Sequence, residues 1–123
     1  MRDTFKTISK IVYSTLSGIT HNIYPLIAEN STTFPFIVYS REGFSTEFCK
    51  DGNYEDTALV SIKVVASTYE SSIKLAQDVR ERLTLHNVHF DGLVINSEID
   101  NAVESYSDNS YIQDLTFQIK INN

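Results

Sequence analysis

Few side chains in this sequence have the types to do chemistry, and their spacing limits what each could do. His86 and His89 stand three apart while His21 is remote from both, and a shared metal would need a Cys or carboxylate half-site beside the pair to complete its ligands. No such spacing is present, so no metal is expected; the pair should straddle the end of a helix and the start of a strand. Cys49 could act as a nucleophile only in an electropositive setting with a base at hand. Its neighbours are Lys50 and the acids Glu47, Asp51 and Glu55, so it is expected to be an ordinary hairpin residue. As the single cysteine it has no partner for an internal disulfide, which fits a reducing, cytosolic compartment. Glu98, Asp100 and Glu104 fall at even spacing in a segment of strand character, which would place all three on one face for acid–base work or cation binding. A solvated strand face is the simpler expectation for them.

There is no glycine-rich phosphate loop, no Gly-x-Ser-x-Gly and no His-Glu-x-x-His. The four glycines, at positions 18, 43, 52 and 92, each suit a helix end or a turn, leaving none to cradle a cofactor. No catalytic residue and no cofactor are therefore expected, and the chain is read as a protein that holds other proteins rather than as an enzyme. Its most unusual segment runs from Phe44 to Tyr54, where Phe44, Phe48 and Tyr54 flank the turn residues Asp51 and Gly52. Aromatic residues on a projecting hairpin are typical interface anchors, so these five are the candidate protein-interface residues. The alternative is that the rings fold back onto the core.

Several elements must position that hairpin. Phe5, Ile8, Ile11, Val12 and Leu16 recur at steps of three and four, which predicts an amphipathic helix from Asp3 to Leu16 with Gly18 as its stop. Residues 23–34 carry Tyr24-Pro25 and the polar run Glu29-Asn30-Ser31-Thr32-Thr33, which predicts a surface loop. Phe36-Ile37-Val38-Tyr39 predicts a strand over 36–42, which Phe44–Phe48 can continue or pair with, and Asp51-Gly52-Asn53 supplies a tight turn. Ala58, Val60, Ile62, Val64 and Ala66 alternate with Leu59, Ser61, Lys63 and Val65, the period of two of a half-buried strand. Ser67-Thr68-Tyr69-Glu70 then matches a capping box with Ser67 as the cap, followed by a helix whose apolar stripe is Tyr69, Ile73, Ala76, Val79 and Leu83. Asp91-Gly92 between apolar residues predicts a hairpin turn, Ser107–Ser110 another, and Leu115, Phe117, Ile119 and Ile121 one face of a long final strand. The expected fold is one α+β domain, residues 1–123, with a mainly antiparallel sheet, two helices packed on one face and a projecting β-hairpin.

The 41% hydrophobic content supports such a core without disulfides or metal. No stretch resembles a leader, and no apolar run approaches the roughly 18 residues of a membrane span. The net charge of −6 is uneven, because Asp91, Glu98, Asp100, Glu104, Asp108 and Asp114 are set against Lys120 alone in the last third. That surface repels phosphate backbones, so direct nucleic-acid binding is disfavoured.

The order of these pieces resembles the tail-completion, or tail-to-head joining, family of long-tailed bacteriophages and prophages. The resemblance spans Ile23 to Ile121. It rests on Ile23-Tyr24-Pro25 ahead of Phe34-Pro35-Phe36-Ile37-Val38-Tyr39, a polar hairpin, Leu59–Ala66 running into Ser67-Thr68-Tyr69-Glu70 and a helix, and the closing strand Tyr111–Ile119. Where the family often carries an aromatic, commonly Trp, this chain has Val64-Val65-Ala66. The resemblance implies a structural role: copies form a ring at the head-proximal end of the tail, terminate the tail tube and join it to the head connector. It implies as partners the chain itself, the tail-tube protein and the connector, with DNA passing through unbound, no membrane, and residence in the cytoplasm during assembly and then in the virion. Acidic residues such as Asp100 and Glu104 would line the bore. The rival expectation is a small α+β protein-binding module or accessory subunit without catalytic activity.

Overall fold

A computed structural model of the chain describes residues 4–20, 22–28, 33–48 and 54–122. In chain order the elements are α1 (Thr4–Leu16), β1 (Ile23–Pro25), β2 (Phe36–Phe48), β3 (Tyr54–Ala66), α2 (Tyr69–Leu83), β4 (Leu85–Phe90), β5 (Leu93–Ser107) and β6 (Ser110–Asn122). The strands form one sheet in the order β1-β2-β3-β6-β5-β4. β1 and β2 run parallel and every other neighbouring pair is antiparallel, so the fold is α+β with a mixed, mainly antiparallel sheet.

The period of two in β3 and β6 makes the core. Register sets Val60 opposite Phe117, Ile62 opposite Leu115 and Ala58 opposite Ile119, so the apolar residues of both central strands share one face. All six are buried, and they form one cluster with Ile8, Ile11, Val12 and Leu16 of α1 and Leu75, Ala76, Val79 and Leu83 of α2. This is the inner face of the sheet; Thr57, Leu59, Ser61 and Lys63 alternate onto the outer face. Burying each Val, Leu, Ile or Phe contributes about 1.5–3 kcal/mol. Both turns expected after α2 are present. Asp91 and Gly92 have φ of 49° and 78°, and Asp108 and Asn109 have 51° and 60°, the paired positive angles that two-residue hairpin loops need to match strand twist.

Four expectations are corrected. Residues 23–34 are not wholly loop: Ile23–Pro25 is β1, paired with Ile37–Tyr39 and anchored by buried Ile23, and three residues are too few to show a period. Of the two arrangements left open for Phe44–Phe48 the first holds, since it continues the strand begun at Phe36, with an irregularity between Arg41 and Gly43. The cap of α2 is Thr68, not Ser67: its Oγ1 accepts the Ser71 amide at 3.2 Å, one residue later than the capping box required. The buried stripe of α2 is Ser72, Leu75, Ala76, Val79 and Leu83, leaving Tyr69 and Ile73 exposed. Ser72 can face inward because its hydroxyl bonds to the Tyr69 carbonyl at 2.7 Å. In α1, likewise, Thr4 is buried while Phe5 is exposed.

Candidate functional site

The aromatic end of β2 is built from the start of α1 upward. Asp56 sits on the inner face of β3 where α1 begins, and its carboxylate accepts Thr4 Oγ1 at 2.5 Å and Thr46 Oγ1 at 2.8 Å. Asp56 and Thr4 are both buried, so this clamp fixes the first turn of α1 against β2 and β3, with an acid at the positive end of the helix. The next residue, Phe5, packs edge-on against Phe44 at a centroid distance of 4.9 Å, and the Arg41 guanidinium lies 3.7 Å from the Phe5 ring centroid. Cation and rings thus order one another at the surface.

Of the interface residues expected from sequence, Phe44 is partly exposed and Phe48 is 82% exposed. Both stand on the inner side of β2, because register sets them opposite Ala58 and Tyr54. Asp51 and Gly52 lie outside the described residues, and of Tyr54 only the backbone, opening β3, is described. β3 is flanked by β2 and β6 along its whole length, from Glu55 to Ala66 on the β6 side. Sequence reasoning had put Phe5 in the core and missed the Arg41 contact. Phe5, Ser9 and Tyr13 share a second stripe at steps of four, and the Ser9 hydroxyl meets Tyr39 Oη at 3.2 Å, so that stripe was the available signal. Leu26 and Ile27, beyond β1, are the other strongly exposed apolar residues beside this end, at 76% and 78%.

The carboxylate trio does not come together. Pairing between β5 and β6 slips between Ile99 and Asn101, and this extra residue reverses the alternation that follows. Glu98, opposite Gln118, stands on the outer face, whereas Glu104, opposite Gln113, stands on the inner side. There Glu104 accepts hydrogen bonds from the Tyr69 hydroxyl at 2.9 Å and from Gln113 Nε2 at 3.2 Å, and Gln113 also donates to Ser72 Oγ at 3.3 Å. The hydrogen bond to Glu104, with that residue's negative charge, holds the Tyr69 phenol above its ordinary pKa. Tyr111 packs against both Tyr69 and Tyr106, at 5.9 and 4.9 Å, tying the far end of the β5–β6 arm to α2.

Between α2 and β5 lies a groove of about 390 Å³ whose walls include Ile73, Ala76, Ile99, Ala102 and Leu115, with Arg80 and Asp100 at its margins. His86 and His89 both lie exposed on β4, rather than one on each side of a helix–strand junction. His21 and Cys49 lie outside the described residues. Among the described residues no three His, Cys, Asp or Glu side chains are gathered as metal ligands would be, and no helix is long and apolar enough to cross a membrane. What the arrangement offers is surface for another protein: exposed aromatic side chains at one edge of the sheet and an apolar groove at the other.

No protein-family model and no curated protein matches the chain. Its fold is similar to that of a chain in the virion of a native gene transfer agent particle, with a TM-score of 0.74 at 12% identity, covering 91% of this chain and 92% of that one. A second solved structure has a TM-score of 0.68 at 11% identity and covers 98% of this chain and 96% of its own.

Proposed function

We propose that this chain is a structural subunit of a phage-like particle, acting as a ring at the head-proximal end of the tail, where it terminates the tail tube and joins it to the head connector. The observation that carries the reading is the likeness of fold, over nine-tenths of both chains, to a component of a gene transfer agent virion. The order of motifs from Ile23 to Ile121 supports the finer assignment, since it follows the tail-completion pattern. The role is assembly rather than catalysis. Both helices back the inner face, and the exposed Phe44 and Phe48 towards the end of β2 are left for contact with another subunit. Acidic residues of β5 and β6 would line the bore. Glu98 and Asp114 stand on the outer face, and a wall without clustered Lys and Arg lets DNA slide without gripping its phosphates.

The direct test is absolute mass by light scattering, for the protein alone and mixed with the tail-tube protein encoded beside it, with electron microscopy of the mixture. Closed rings, or tubes whose growth stops at an end carrying this protein, are expected. A protein that forms no ring and leaves tube growth unchanged would refute the assignment in favour of a small binding module. A reconstruction with the acidic residues of β5 and β6 on the outside of the ring would remove the bore-lining part alone.

A further inference from the structure

The two strands that end the chain are buried very differently. In β6, residues from Leu115 to Ile121 alternate between buried and half-buried, because β3 and β5 flank that strand on both sides. In β5 every residue from Asp100 to Ser107 is exposed, the apolar Ala102, Val103 and Tyr106 included. The reason is that β4 accompanies β5 only as far as Ser97. From Glu98 to Ser107, among the described residues, β5 pairs with β6 alone, and no backbone hydrogen bond reaches its other edge. That open stretch is about 33 Å long at about 3.3 Å per residue, room for a whole added strand.

Charge and shape limit what the edge would accept. From Leu93 to Asp114 there are five acids, Glu98, Asp100, Glu104, Asp108 and Asp114, and no Lys or Arg. The neighbouring α2 adds no net charge, since Lys74, Arg80 and Arg82 balance Glu70, Asp78 and Glu81. On the inner side of the edge lies the apolar groove walled by Ile73, Ala76, Ile99 and Ala102. Beyond the slip at Asp100, register sets Ala102, Glu104 and Tyr106 on that inner side and Val103 and Ser105 on the outer one. An open edge is a template for strand addition, and a row of like charges along it repels all but a strand of opposite charge. This chain has no such strand to offer. β2 carries Glu42 and Glu47 against Arg41, β3 carries Glu55 and Asp56 against Lys63, β6 has Asp114 against Lys120, and β1 and β4 hold no Lys, Arg, Asp or Glu. A second copy is therefore a poor match in charge, and the fitting occupant is a basic segment of another protein.

We propose that the open edge of β5 takes an extended basic segment of a different protein, added antiparallel as a further strand of the sheet. The added strand runs in line with β4 and stops where β4 begins at Leu85. Its inward side chains alternate along Ala102, Glu104 and Tyr106. An aliphatic one opposite Ala102 enters the groove against Ile73 and Ala76, and an Arg or Lys opposite Glu104 pairs with that carboxylate beside the exposed Tyr106 ring. Backbone hydrogen bonds supply affinity and these two side chains selectivity. Glu104 is already held by Tyr69 and Gln113, so the cation meets an ordered acceptor. The inference goes beyond the ring assignment, because the edge serves any assembly the subunit joins.

Fluorescence anisotropy tests this with a labelled, capped probe peptide, Thr-Ile-Thr-Arg-Val-Ile-Thr-Lys, whose Arg falls opposite Glu104 and whose second Ile falls opposite Ala102. Saturable binding is expected, about tenfold or more tighter than that of a scrambled peptide of the same composition. Two further peptides carry N-methyl groups on alternate amides, in opposite phases. Alternate N–H groups of a strand point to opposite sides, so one phase should lose about tenfold in affinity and the other stay within about threefold of the parent. Glu104→Gln keeps an acceptor for Tyr69 and Gln113; it should weaken the parent peptide several-fold, yet leave unchanged the binding of a peptide with Gln in place of Arg. Equal binding of the scrambled peptide, or of both methylated peptides, would mean attraction by charge alone and overturn the proposal. No binding up to about millimolar peptide would overturn it as well. A protein that light scattering shows to be dimeric, and that the peptide separates into monomers, would assign the edge to a second copy and overturn the assignment to a different protein.

Discussion

Replacing Asp56 with alanine should loosen the clamp that holds α1 to the sheet. The carboxylate accepts two hydroxyl hydrogen bonds, from Thr4 and Thr46, and hydrogen bonds to a charged group contribute about 1.5–3 kcal/mol each. An acid at a partly buried helix N-terminus adds up to ~2 kcal/mol. Against this, removing a buried charge recovers several kcal/mol of desolvation, and the half-buried Thr46 hydroxyl can turn to water. The net expectation is a loss of about 3 kcal/mol, most of it from stranding the buried Thr4 hydroxyl and freeing the first turn of α1. For a domain of this size that corresponds to a fall in Tm of roughly 12 °C. Asp56→Asn keeps an acceptor and should cost about half as much. Urea unfolding of wild type, Asp56→Ala, Thr4→Val and the double variant reports both the loss and the coupling between Thr4 and Asp56. A loss below about 0.5 kcal/mol with no coupling, the behaviour of an ordinary surface substitution, would refute the reasoning.

Three further outcomes follow from the same geometry. Ser97 is 2% exposed and its Oγ has no hydrogen-bond partner among the described residues, so Ser97→Ala should stabilise the protein by about 1 kcal/mol in urea unfolding. Phe117→Ala, at the fully buried centre of β6, should cost about 3–5 kcal/mol in the same assay. The Tyr69 pKa is raised in the folded state, so its contribution is fully present below the unfolded phenol pKa and is lost as pH rises through the folded value. Stability measured upward from about pH 10 should therefore fall less steeply in Tyr69→Phe than in wild type.

The two edges of the sheet are built by different physical devices. At the β2 edge, Phe5, Arg41 and Phe44 form a self-supporting surface cluster anchored from below by Asp56, so the exposed rings are held in place before a partner arrives. At the β5 edge, the slip between Ile99 and Asn101 divides the acids between two faces. That irregularity turns a strand of apparently equivalent carboxylates into one with Glu98 facing out and Glu104 locked onto α2.

The sequence by itself determined the elements whose signal is local and repeated. The alternation from Ala58 to Ala66 and from Leu115 to Ile121, the helical steps from Ile8 to Leu16, and the Asp91-Gly92 and Asp108-Asn109 turns each depend on the residue types within a few positions, so they could be read directly. Tertiary structure alone decided the rest. β1 exists because β2 offers Ile37–Tyr39 an edge partner, not because three residues favour a strand. The cap of α2 moved to Thr68, and its buried stripe turned away from Ile73, because packing against β3 and β6 outweighs small differences in local preference. Glu98, Asp100 and Glu104 are exposed as expected but do not share one face, because one inserted residue in a strand changes the face of everything after it, and nothing in their identities records that slip. The strand order belongs to the same class: each segment shows its own strand character, but which strand lies beside which is a property of the assembled sheet.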